Sequence, residues 1–324
     1  MSFCTLIKAA TLAFTLPLFV GQASAQSYPT KPIQLIIPFG AGSGSDNIAR
    51  QLASRVTAAN PSWQFIIDNK PGASGIIGAQ HAKHSAADGY TLFYSGNTTH
   101  GANSALYKTL PYDPVADFVP ITRVGVFPLA LIARPSLHIN SVNELTSLIK
   151  KEPGKLSFAA ASAGPQVAGE NFKHEANLNV LYVPYKTSPQ ALTDLIGDHV
   201  DYLFIDTPAS TPLIRAGKLK ALAVTSKRRI DNLKDVPTMA ESGYPNFEVM
   251  NWSAIFAVRG TPEPVLDALY KAFEAVIAST EWQKYVADLG GYADVLTPQQ
   301  TSDWVNTEIQ SYKVTLKRAG VVPQ

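Results

Sequence analysis

Two loops and one acid carry the residues with the chemistry for a site. The first loop is Phe39-Gly40-Ala41-Gly42-Ser43-Gly44-Ser45-Asp46, where small residues leave backbone N–H groups uncovered and two serines add hydroxyls. The second is Gly96-Asn97-Thr98-Thr99-His100. The acid is Asp206, which suits a catalytic acid, a helix cap or a partner for a ligand's polar end. One chemistry for this set is an anion cradle, because a helix start presents orphan N–H donors and the positive end of its dipole. The other is a secreted serine hydrolase with Ser43 or Ser45 as nucleophile and His100 as base. The first loop completes neither enzyme-like motif. A nucleophile elbow around Ser43 wants glycine where Ala41 stands, and a dinucleotide fingerprint wants a third glycine where Ser45 stands.

Each loop needs a strand before it and a helix after it, and the flanking residues supply both. Ile33–Ile37 is a short β-branched run of the kind a strand buried on both faces requires. Beyond the loop, Ile48, Leu52, Ala53 and Val56 recur at helical spacing, with Ser45 or Asp46 placed to cap that helix. Residues 64–68 and 90–95 read as further strands, the latter ending at Gly96. Strand, small polar loop and helix repeat from 156 to 225, and residues 251–257 read as one more strand before a helical C-terminus. This alternation predicts doubly wound α/β sheets, in which ligands sit beyond the carboxyl ends of the strands. The loops at 39–46 and 96–100 should then lie side by side.

Composition excludes several classes. Of 324 residues, 46% are hydrophobic and 16% charged, which is a folded chain's balance. Net charge is +2 and no like-charge block exceeds Lys227-Arg228-Arg229, so a nucleic-acid partner is not expected. His81 and His84 stand three apart and read as a surface face rather than a metal site, and no cofactor is expected. Lys8, an apolar run over 9–20 and the small-residue pattern Ala23-Ser24-Ala25 predict an export signal over residues 1–25, cleaved before Gln26. The single cysteine, Cys4, leaves with it.

Several segments, in order, resemble the Bug family, the periplasmic substrate-binding receptors of tripartite tricarboxylate transporters. They are Lys31 to Arg50, Asn69-Lys70-Pro71-Gly72-Ala73-Ser74-Gly75, Asp88-Gly89-Tyr90-Thr91-Leu92 and Leu110-Pro111-Tyr112-Asp113-Pro114. Further on come Val183-Pro184-Tyr185-Lys186, Ala216 to Thr225 and Asp235 to Pro245. The resemblance implies a two-lobed clam-shell, the periplasmic-binding-protein α/β fold, each lobe a doubly wound sheet with flanking helices. It implies residues 26–126 plus 251–324 as the first lobe and 127–250 as the second. A small mono- or dicarboxylate, aliphatic or aromatic, would be anchored by the first-lobe loops without a mandatory arginine. Ser162, Ala163, Gly164, Gln166, Tyr185 and Asp206 would read its other end. The family usually has a histidine where Pro165-Gln166-Val167 stand and often a glycine where Thr187 stands, so no relative's ligand carries over. The implied partners are membrane permease subunits or, for a sensory receptor of the same fold, a sensor kinase.

Overall fold

The computed structural model describes residues 28–318 and 320–323; the export signal, its cleavage before Gln26 and Cys4 lie outside the described residues. The chain begins with β1 (Ile33–Ile37), α1 (Gly44–Ala59), β2 (Phe65–Asn69), α2 (Ile76–Lys83) and β3 (Thr91–Gly96). A wide helical turn over Thr98–Ala102 then leads to α3 (Asn103–Leu106). There follow β4 (Phe118–Ala133), α4 (Val142–Lys151), β5 (Ser157–Ala160), α5 (Ala163–Glu175), β6 (Leu181–Pro184) and α6 (Ser188–Ile196). The remainder is β7 (Tyr202–Asp206), α7 (Thr207–Arg215), β8 (Ala221–Val224), β9 (Met250–Val258), α8 (Glu263–Ile277), α9 (Thr280–Asp288) and α10 (Pro298–Arg318).

The strands run in the order β2-β1-β3-β9-β4-β7-β5-β6, with β8 also paired to β4. Parallel pairing joins β1 to β2 and β3, and β5 to β6 and β7. The sixteen-residue β4 joins the two halves. It is antiparallel to β9 as far as Pro128 and antiparallel to β7 from Leu129 onward. Its pairing with β9 begins at Phe118. The result is a two-lobed clam-shell, with β4 and β9 as the rods that cross between lobes.

Each lobe buries its own apolar layers. In the first, α1 turns Ile48, Ala49, Leu52, Ala53 and Val56 inward, onto Ile33, Leu35 and Ile37 of β1. That spacing is one stripe of a 3.6-residue period. Asn60 closes the helix by donating its backbone N–H to Val56 O, and Pro61 forbids its continuation. Trp282 is fully buried in the same layer and its indole N–H donates to Val124 O at 3.2 Å. In the second lobe Phe158, Phe172, Tyr202 and Phe204 fill the equivalent space. A smaller cluster spans the lobes: Ala163 and Val167 of α5 pack on Ala102, Leu106, Tyr312 and Leu316. The clam-shell therefore stands closed.

Candidate functional site

The cleft lies where the carboxyl ends of β1 and β3 face the second lobe. It is narrow, with about 40 Å³ of free space between its walls. Its first wall is the start of α1. Ser43 is the N-cap, with extended backbone (φ −67°, ψ 162°), and its Oγ accepts from Asp46 N at 3.2 Å. The sequence pointed to Ser45 or Asp46 as the cap. Asp46 instead sits one turn in, and its carboxylate reaches back to accept from Gly42 N at 2.9 Å. This is half of a capping box: the cap serves the third residue's N–H, while the third residue takes the N–H of the residue before the cap. The N–H groups of Gly44 and Ser45 find no acceptor among the described residues, and both residues line the cleft. The open donors of the first turn are thus presented to whatever fills it.

Asp46 itself is turned away from the cleft. Arg50 Nε donates to both its oxygens at 3.0 Å, and Asn69 Nδ2 donates to Oδ1 at 2.9 Å. Burial alone would raise this carboxyl; the bonds from Arg50, Asn69 and Gly42 overcome it and hold it below the usual range. Asn69 also donates to Phe39 O at 3.0 Å and accepts from Arg50 Nη2 at 3.1 Å, so one amide fixes both ends of the loop. Asn69→Ala should cost about 1–3 kcal/mol through the unpaired buried acceptors it leaves. Ligand affinity should fall with it, roughly tenfold, as the loop loosens. Denaturant unfolding and titration calorimetry would measure the two losses; a stability loss with unchanged affinity would mean that loop shape is irrelevant to binding.

The second wall is the end of β3 and the start of β9. Tyr94, Ser95, Gly96, Asn97 and Thr98 line the cleft, as do Asn251, Trp252 and Ser253. Antiparallel pairing sets Gly96 against Ser253, so close that a Cβ on Gly96 would lie 1.9 Å from Trp252 O. Tyr94 donates to Ser253 Oγ at 2.8 Å. Asn97 Nδ2 donates to Asn251 Oδ1 at 2.8 Å and to Tyr312 OH at 3.2 Å.

The second lobe contributes Phe127, Ser162, Ser188, Asp206 and Pro208. Ser162, Thr187 and Asp206 are the N-caps of α5, α6 and α7; the starts of α6 and α7 face the α1 loop, and that of α5 faces Asn97 and Asn251. The seam is tight at three glycines. A Cβ on Gly40 would lie 2.4 Å from Thr187 Cγ2, one on Gly164 would lie 2.1 Å from Asn251 Oδ1, and one on Gly44 would lie 1.6 Å from Asp206 Oδ2.

The structure brings Phe39, Ser43, Ser45, Asn97, Thr98, Ser162 and Asp206 to the cleft wall. Gly40, Ala163 and Gly164 stand behind it as packing and helix-start positions. Others depart from the expectation. Ala41 and Gly42 are exposed and do not line the cleft, and Gly42 takes a left-handed conformation (φ +76°). Tyr185 turns its hydroxyl to Asp194, 2.7 Å away, because the β6–α6 turn carries it off the wall. Gln166 begins the second turn of α5, its N–H given to Ser162 O, and is not on the wall. Thr99 and His100 are fully buried beneath the wall. His100 stacks on Phe256 with ring centroids 3.8 Å apart, and its Nδ1 is 3.1 Å from Thr99 Oγ1. Desolvation holds the imidazole down at about 3, so it is neutral at ordinary pH. It bonds to neither Ser43 nor Ser45, and the hydrolase arrangement loses its base.

Tyr94, Asn251, Trp252, Ser253, Phe127, Ser188 and Pro208 were not singled out from the sequence. The polar pair flanking Trp252 at the head of an otherwise apolar strand was the one available signal for Asn251 and Ser253.

Residues 48–321 match a family described as "Tripartite tricarboxylate transporter family receptor". Protein BugT of Bordetella pertussis is 35% identical over 300 residues, covering 92% of each chain. Among solved structures, "R. palustris Rpa4515 with adipate" superposes with a TM-score of 0.89 at 32% identity, covering 92% of this chain and all of that one. The structure of MatC (Rpa3494) from Rhodopseudomonas palustris with bound malate gives 0.84 at 28% identity, covering 89% of this chain and all of that one. Among the described residues no helix is long and apolar enough to cross a membrane.

Proposed function

Because the chain belongs to the tripartite tricarboxylate transporter receptor family, we propose that it captures a small organic carboxylate in the periplasm and delivers it to the family's membrane permease. The observation that carries this reading is the pair of unbonded N–H groups at Gly44 and Ser45, two residues that line a cleft with no lysine, arginine or histidine on its wall among the described residues. Such a cleft holds an anion by backbone donors, hydroxyls and a helix dipole rather than by a countercharge. Support for the ligand class comes from the two similar receptors, one described with adipate and one with malate.

In this reading residues 1–25 are removed on export. Residues 26–126 with 251–324 form the anchoring lobe, residues 127–250 the reading lobe, and closure swings one over the other about β4 and β9. Ser43, Ser45, Asn97 and Thr98 take one carboxylate, with Asp206 opposite the start of α1; Ser162 and Ser188 face the remainder of the ligand. The ligand leaves unchanged, so no turnover is expected. No observation favours the sensory alternative, and the sensor kinase is dropped as a partner.

A thermal-shift panel of mono- and dicarboxylates, aliphatic and aromatic, tests the reading. A ligand at a hundred times its Kd should stabilise the closed form by about 2.7 kcal/mol, a saturable rise in melting temperature. A panel in which no acid moves the melting temperature, or turnover of model esters by the purified protein, would count against the receptor.

A further inference from the structure

Among the described residues Asp206 is the only formally charged side chain on the cleft wall, and it stands in an unusual place. Its Oδ2 occupies the space that a Cβ on Gly44 would fill, at the mouth of the same helix that offers its N–H groups to an anion. It is the N-cap residue of α7, yet its side chain makes no cap bond. Among the described residues, no side chain hydrogen-bonds to its carboxyl group. The residue as a whole is half-buried and lines the cleft.

Among the described residues nothing charged answers it from the surrounding elements. On α1, Asp46 and Arg50 are spent on each other. On β3, Tyr94 is un-ionised, its hydroxyl given to Ser253. On β4, Arg123 pairs with Asp294, and just beyond its end Arg134 pairs with Asp201. On α5, Glu170 is paired with Lys173. On α7 itself, Arg215 stands in the last turn, at the far end of the helix. Lys186, the nearest lysine in sequence to the α6 cap, is not on the wall. A carboxylate ligand seated on α1 would therefore meet an uncompensated second carboxylate.

We infer that Asp206 closes over the captured carboxylate in its protonated form, the two groups sharing one proton, so that the receptor takes up its ligand together with a proton from solvent. The inference rests on the carboxylate reading above. Two carboxylates at one site cannot both ionise, and the pair then titrates as a unit with one proton held high. Burial already pushes Asp206 up to about 6 in the closed cleft, only its own backbone N–H pulling the other way. The sign follows. With the lobes apart and Asp206 in water, its pKa is ordinary; with them closed it is raised. Closure is therefore favoured fully at low pH and loses that advantage as pH rises through the closed-state value, which a bound anion moves higher still.

The test is titration calorimetry with adipate, malate and benzoate between pH 6 and 8, in buffers of different ionisation enthalpy. The expected result is uptake of about one proton per ligand and an affinity that falls about tenfold per pH unit. In Asp206→Asn, which keeps the shape and a donor, uptake should vanish and affinity should be flat with pH, exceeding the wild type at pH 8. Binding without proton uptake by the wild type overturns the inference and leaves the carboxylate receptor standing. So does a loss of affinity in Asp206→Asn, which would mark an ionised Asp206 accepting from a ligand hydroxyl or amine. Failure of every acid to bind overturns the receptor reading and this inference with it. The wild-type proton count decides the matter even if the variant does not fold.

Discussion

Gly44→Val is expected to abolish ligand binding while leaving both lobes folded. Gly44 is the first residue of α1 and its backbone is in no left-handed conformation, so the helix itself tolerates a side chain there. The obstacle is across the cleft. The first added carbon would lie 1.6 Å from Asp206 Oδ2, 2.8 Å from its Cγ and 3.3 Å from Pro208 Cβ. Neither lobe's own core contains this contact, so separating the lobes relieves it. Overpacking of this kind costs about 1–3 kcal/mol when a buried core must absorb it. Here the whole cost falls on the closed state, and with the second and third carbons of valine it should exceed the upper end. The expected reading is a Kd raised by at least about a hundredfold. The ligand-free melting temperature should barely move, and the radius of gyration should no longer contract on adding ligand. Unchanged affinity would show that the ligand is held with the lobes further apart than this structure has them.

The same seam explains what the sequence could and could not reveal. The strand-turn-helix at 33–56 is written locally, in a β-branched run, a small-residue loop and a 3.6-residue stripe, and it was legible. So was the alternation of units that builds two lobes. The identity of the cap was not, because Ser43, Ser45 and Asp46 are all good capping types. What decides among them is Arg50 and Asn69, which draw the Asp46 carboxylate outward and leave Ser43 the cap. The second loop reads as a polar strand end with His100 as a candidate base, yet Thr98–Ala102 coils into a wide, buried helical turn. Its burial comes from Phe256, Phe118 and Tyr312, residues remote in sequence that β9, β4 and α10 deliver. His100 accordingly became a core residue. Asn251 and Ser253 reach the cleft only because β9 runs antiparallel to β3, a pairing that no local pattern encodes.

The cap also provides the sharpest test of where the anion sits, through Ser43→Asp. Aspartate is as good an N-cap as serine, and its charge is favourable at a helix start. The N–H of Asp46, now bonded to Ser43 Oγ, would find a carboxylate oxygen in the same place. Ligand-free stability should therefore change by less than about 1 kcal/mol. Binding should not survive. The new carboxylate would sit beside the open N–H groups of Gly44 and Ser45 and satisfy the donors that an incoming anion needs. It would also repel that anion. Two like charges about 4 Å apart at an effective dielectric near 20 cost about 4 kcal/mol, which is about a thousandfold in Kd. Ser43→Asn separates charge from shape, since it caps equally well and carries no charge; it should retain most of the wild-type affinity. The pair is read by the thermal shift that a binding carboxylate gives the wild type: absent in the aspartate variant, present in the asparagine one. An aspartate variant that binds like the wild type would move the anion away from the start of α1, and with it the role of the Gly40–Ser45 loop.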